Sequence, residues 1–151
     1  MSNRQAIIFG TLTVGTLDLL DAVIFFGIRN GTAPARIVQS IAAGWLGRAS
    51  FNGGAASAAL GVATHYLIAF GIVAVYIGTS HVAAVLVRRP WLCGAIYGIG
   101  VYFFMNLVVI PLSAIGPQRF TVAPFVNGIV IHILGIGIPA ALFAAAASRH
   151  K

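Results

Sequence analysis

The chain contains two acidic residues, Asp18 and Asp21, and both fall inside an apolar run. Their i, i+3 spacing puts them on one face of a helix. A charged carboxylate at the centre of a bilayer costs at least about 2.5 kcal/mol, so such groups either mark proton or cation routes or are clasped by polar side chains of neighbouring helices. Both readings are open for this pair. His65 and His132 lie in later apolar runs, His65 in the first turns of its span and His132 deeper. Imidazole titrates near neutrality and can relay a proton or bond from helix to helix. Asn106 falls near the centre of another apolar run. Asp18, Asp21, His65, Asn106 and His132 are therefore the candidates for proton or ion chemistry.

No catalytic constellation accompanies them. Neither histidine has a second ligand on its own helix, and the sole cysteine, Cys93, can build neither a disulfide within the chain nor a Cys-based metal site. No metal site and no cofactor are expected. Gly135-Ile-Gly137-Ile-Pro-Ala140 matches a dinucleotide fingerprint, but that chemistry needs a preceding strand and a later acid. Here the match lies inside an apolar span, and no acid follows it. A P-loop, a nucleophile elbow, His-Glu-x-x-His and Cys-x-x-Cys are all absent. The chain reads as not an enzyme.

The elements that must position these residues follow from composition. The 151 residues are 60% hydrophobic and 7% charged, against about 25% charged in soluble domains. This excludes a soluble enzyme, a disordered tail, a disulfide scaffold and a coiled coil. It leaves an all-α, polytopic membrane protein with the lipid bilayer as its first partner. Four runs reach the length of about 20 residues that a bilayer requires: 6–28, 60–87, 91–112 and 122–147. The first reads as an uncleaved span. Packing between spans is expected at small residues, with Gly61, Gly94, Gly98, Gly128 and Gly135 as the close-approach positions. Asn106 continues the face of Gly94, Gly98 and Tyr102, where it is expected to bond across to a neighbour or, as the alternative, to line a polar cavity. Pro139 should kink the last span unless its neighbours compensate.

The segment between the first two spans carries an amphipathic stripe. Ile37, Val38, Ile41 and Trp45 share one side, and Arg36, Gln39, Ser40, Ala43 and Gly47 share the other. A short helix over 34–50 is expected, lying on the membrane surface or packed against the bundle mouth. The net charge of +7 comes from arginines and one lysine dispersed at the edges of apolar runs. That is the placement of orienting charges, not of a nucleic-acid interface. Four spans put both termini on one side, and the short Arg88-Arg89 loop on that side points to the cytoplasm.

A weak internal repeat is visible. Gly10 precedes Asp18 as Gly98 precedes Asn106, and the following spans open with Gly61-x-x-x-His65 and Gly128-x-x-x-His132. From Gly94-Ala95 through the apolar run to Pro111-Leu112, Pro117 and the second Gly-x-x-x-His span, the chain resembles small bacterial inner-membrane proteins of the YagU-like type. The resemblance implies an integral inner-membrane protein. It implies no biochemical activity and carries over no site residue.

Two functional expectations result. One is a small transport-type or proton/cation-linked protein working through Asp18 and Asp21, assembled as a homo-oligomer if it conducts. The other is a non-catalytic membrane component that binds a membrane protein partner or supports the envelope.

Overall fold

The computed structural model describes residues 1–149; the basic tail at His150 and Lys151 lies outside the described residues. The described residues are helical and contain no strand. Four helices are long and apolar enough to cross a membrane: α1 (Asn3–Asn30), α3 (Gly54–Ser80), α5 (Pro90–Leu112) and α6 (Val122–Ser148). Between them lie α2 (Pro34–Leu46) and the short α4 (Val85–Arg88).

Local sequence sets the helix ends. Ser2 and Gln5 form a reciprocal capping box that starts α1. Gly31, at φ +62°, ends it in the left-handed conformation that glycine adopts without strain. Pro34 then opens α2, where its missing N–H leaves no donor unsatisfied. The second span differs from expectation: α3 is Gly54–Ser80, not residues 60–87. The small residues 54–59 are helical, and the apolar run after Ser80 turns at His81 before α4. Apolarity alone carries the run past a turn that only backbone hydrogen bonding reveals.

The four long helices alternate in direction. Asn3, His81 and Ser148 line one small cleft, so the chain begins and α6 ends at one end of the bundle. At the other end the backbone N–H of Ala114 donates to the Gly44 carbonyl, tying α2 to the loop after α5. The interior is dominated by alanine, from Ala6 and Ala69 to Ala140, Ala141 and Ala144, with Val14, Val73 and Tyr76 between them. Large apolar side chains such as Ile8, Leu67, Ile96 and Leu107 point outward. Small inside and large outside is the packing expected when lipid, not water, surrounds the bundle, because close backbone approach then supplies the attraction.

The stripe of α2 is split between two jobs. Val38 crosses α3 so closely that a side chain on Gly61 would collide with the Val38 backbone. Ile37 and Ile41 instead face a cavity. Gln39, expected on the polar outer side, is buried; its amide donates to the Gly54 carbonyl at 3.1 Å and to Ser57 Oγ at 3.3 Å. Ser50, in the 3-10 turn Gly47–Asn52, donates back to the Gln39 carbonyl at 2.6 Å. The helix is thus packed across the bundle mouth, with Trp45 still exposed and its indole N–H donating to Thr64.

The repeat does not survive as a shared register. Gly98 meets His132, so a true repeat would set Gly10 against His65; Gly10 meets Val73 and Phe143 instead. Gly61 is occupied by α2, which has no counterpart in the second half, and α1 and α3 align through Gly15 against Tyr66.

Candidate functional site

A cavity of about 490 Å³ lies between α1, α2, α3, α5 and α6. Four of the five candidate residues line it: Asp18 from α1, His65 from α3, Asn106 from α5 and His132 from α6. Asp18 sits about 18 Å along α1 from its Asn30 end, by helix rise alone. Because α3 starts at Gly54, His65 lies about three turns in, deeper than its expected place in the first turns. Val14, Ile72 and Ile136 lie at the deep end, and Thr32, Arg36 and Phe51 at the end where α1 passes into α2.

The fifth candidate parts from the others. The Asp21 carboxylate accepts a hydrogen bond of 2.6 Å from the side-chain amide of Asn127 on α6, and Asp21 does not line the cavity. Among the described residues no hydrogen bond reaches the Asp18 carboxylate. The two acids share a helix face but not an environment.

Each remaining polar group is held by a backbone carbonyl. His65 Nε2 donates to the Gly15 carbonyl of α1 at 2.7 Å. His132 Nδ1 donates to the Gly128 carbonyl one turn back, at 2.9 Å, and its ring meets Tyr102 edge-on at 5.2 Å. Asn106 does not bond across to another helix as expected. Its amide instead donates to the Tyr102 carbonyl of its own helix, at 2.9 Å.

The reason lies in two local distortions. α5 widens into a π-turn over Met105–Val109, and α6 does so over His132–Gly137. Each is followed within two residues by a proline, Pro111 or Pro139. Proline lacks the N–H and clashes with the carbonyl four residues back. The π-turn lets the preceding N–H groups reach one residue further: Ile110 to Met105 and Ile138 to Ile133. The kink expected at Pro139 is taken up this way. Each π-turn adds a residue and rotates one part of the helix against the other. Asn106 and His132 both lie in these turns, on the cavity wall.

The glycines hold the walls together. Gly94 meets Gly137, Ile138 and Ala141, while Gly98 meets the His132 backbone. At Gly98 a side chain would collide with the His132 carbonyl, so α5 and α6 can touch there only through glycine. Gly128 carries the Tyr102 ring, and Gly135 lies against Leu17 and Ile131. At the far end α5 reaches α3 through the Tyr97 hydroxyl, which donates to the Ile72 carbonyl at 2.7 Å, and through the edge-on pair of Tyr76 and Tyr97.

Sequence reasoning missed Asn127, Arg36 and Ser40. Asn127 stands beside Gly128 and is the only asparagine in its span, a signal that was present. Arg36 reads in sequence as an orienting charge. It lines the cavity instead, with its guanidinium 4.6 Å from the centre of the Phe51 ring. Among the described residues no group of three or more His, Cys, Asp or Glu is gathered closely enough to hold one metal ion. The cavity can therefore present a carboxylate, two imidazoles and an amide to a ligand or a proton, with Thr32, Arg36 and Ser40 as the other polar groups of its wall. No protein-family model, curated protein or solved structure matches this chain.

Proposed function

We propose that this chain is a small transport-type membrane protein, linked to protons or cations, with Asp18 as its working carboxylate. The observation that carries this reading is convergence. Asp18, His65, Asn106 and His132 come from four different long helices to one cavity. Intramembrane ionisable groups that face a cavity mark substrate and ion pathways. π-turns such as those holding Asn106 and His132 recur at functional sites.

The reading is non-enzymatic. The one serine on the cavity wall, Ser40, donates its hydroxyl to the Ile37 carbonyl at 2.6 Å and is not held by an imidazole. For Asp21 alone, the bond to Asn127 favours the structural role of a clasp between α1 and α6. We place the protein in the bacterial inner membrane, in keeping with the YagU-like resemblance of its second half. The termini and the Arg88-Arg89 loop then face the cytoplasm, and the α1–α2 end of the cavity faces the opposite side. A homo-oligomer or a membrane protein partner would complete a path that one small bundle does not enclose.

The test is proton and cation flux in proteoliposomes, comparing wild type with Asp18→Asn at equal inserted density. Flux in wild type that is lost in Asp18→Asn supports the reading. Equal flux in the two proteins sinks it.

A further inference from the structure

The hydrogen bonds around the cavity leave a one-sided pattern. A backbone carbonyl accepts hydrogen bonds and cannot donate them. His65 Nε2 faces the Gly15 carbonyl and so carries the proton, leaving Nδ1 of the neutral ring as an acceptor. His132 Nδ1 faces the Gly128 carbonyl and carries the proton there, leaving Nε2 as an acceptor. The Asn106 amide nitrogen is engaged by the Tyr102 carbonyl, which leaves Oδ1 and one N–H. The Ser40 hydroxyl hydrogen is engaged by the Ile37 carbonyl, which leaves two lone pairs. In its ionised form the Asp18 carboxylate accepts only.

Five polar groups from five helices thus present acceptors, and the second N–H of Asn106 is their single spare donor. The other donors on the wall, Arg36 and Thr32, both lie at the α1–α2 end, where Arg36 is drawn over the Phe51 ring. The rest of the wall is apolar, with Ile68, Ile72, Ile110 and Ile136 among it. The volume, about 490 Å³, falls in the range of small-molecule sites. A wall that presents mainly acceptors suits a cation that brings its own hydrogen-bond donors.

Resting on the reading of this cavity as a substrate site, we infer that its ligand is a protonated primary amine on an apolar body. The ammonium group supplies three N–H donors to the set formed by Asp18, His65, Asn106 and His132. The apolar body lies against the isoleucines. A quaternary ammonium of the same charge has no N–H to give and leaves every acceptor unmatched. A buried acceptor left without its donor is a strong basis for rejection, stronger than a change in apolar bulk.

The test is calorimetric titration of the full-length protein in phospholipid nanodiscs. The probes are phenethylammonium and its N,N,N-trimethyl analogue, which share ring and charge. The primary amine is expected to bind about tenfold or more tightly than the analogue. Asp18→Asn should weaken it by a similar factor. Asn106→Leu, on the exposed side of α5, should weaken it several-fold and narrow the preference for the primary amine. Equal binding of the two probes, or no binding of either, overturns the inference. If Asp18→Asn does not fold, the probe pair on wild type and on Asn106→Leu decides the matter. Titration reads binding without flux. Ion flux without amine binding overturns this inference and leaves the transport reading standing; selective amine binding without flux does the reverse.

Discussion

The Asp21 carboxylate and the Asn127 amide are joined at 2.6 Å across α1 and α6, while Asp18, one turn earlier on α1, opens into the cavity. The bond divides two acids of identical type between two roles. A double-mutant cycle of Asp21→Ala and Asn127→Ala should give a coupling of about 0.6–1.7 kcal/mol, the size measured for hydrogen bonds between membrane helices. Unfolding in mixed micelles reads it. A coupling of zero would remove the clasp.

Asp21→Asn and Asp18→Asn should therefore behave in opposite ways. The amide introduced by Asp21→Asn keeps an oxygen to accept from Asn127, so flux in proteoliposomes should persist with a modest loss of stability. Asp18→Asn has no such bond to lose and should abolish flux while leaving the melting temperature nearly unchanged. Flux lost equally in both variants would mean that the acids work as a pair.

Glycine substitutions separate seams from open faces. Gly61→Val and Gly98→Val force side chains into the Val38 and His132 backbones and should each cost about 3 kcal/mol or more, at the upper end of overpacking. Gly71→Ala and Gly100→Ala meet nothing within 4 Å, and should be neutral or raise stability by up to about 1 kcal/mol. Thermal unfolding in detergent orders the four variants.

Pro139→Ala restores the missing N–H and removes the clash that favours the π-turn over His132–Gly137. The last span should relax towards a regular α-helix. Stability is expected to hold or rise, and flux to fall, because His132 rotates relative to Asp18. Unchanged flux with a raised melting temperature would show that the π-turn does not set the site.

Sidedness can be read with a membrane-impermeant maleimide in a Cys93→Ser background. Ser40→Cys lies on α2 at the cavity wall, and Asn3→Cys sits at the end shared with His81. In intact bacterial cells Ser40→Cys should label and Asn3→Cys should not. The reverse pattern would invert the proposed topology.

Much of this was legible in the residues. Three long apolar runs without charge and a fourth that holds only Asp18 and Asp21 fix four membrane helices, because an unpaired charge in hydrocarbon is too costly to be placed at random. The same cost singles out Asp18, Asp21, His65, Asn106 and His132. Glycine and alanine at helical spacing mark where backbones approach.

What the chain could not disclose is which faces meet. The identical i, i+3 acids part company because Asn127, distant in sequence, reaches only one of them. Asn106 turns to its own helix from within a π-turn ahead of Pro111, and hydropathy does not register a single added residue. The repeated Gly-x-x-x-His does not produce matching halves, because α2 takes the Gly61 contact and α1 aligns with α3 through Gly15. Chemical type is local and can be read from each residue. Register and rotation depend on every neighbouring helix at once, and only the packed bundle decides them.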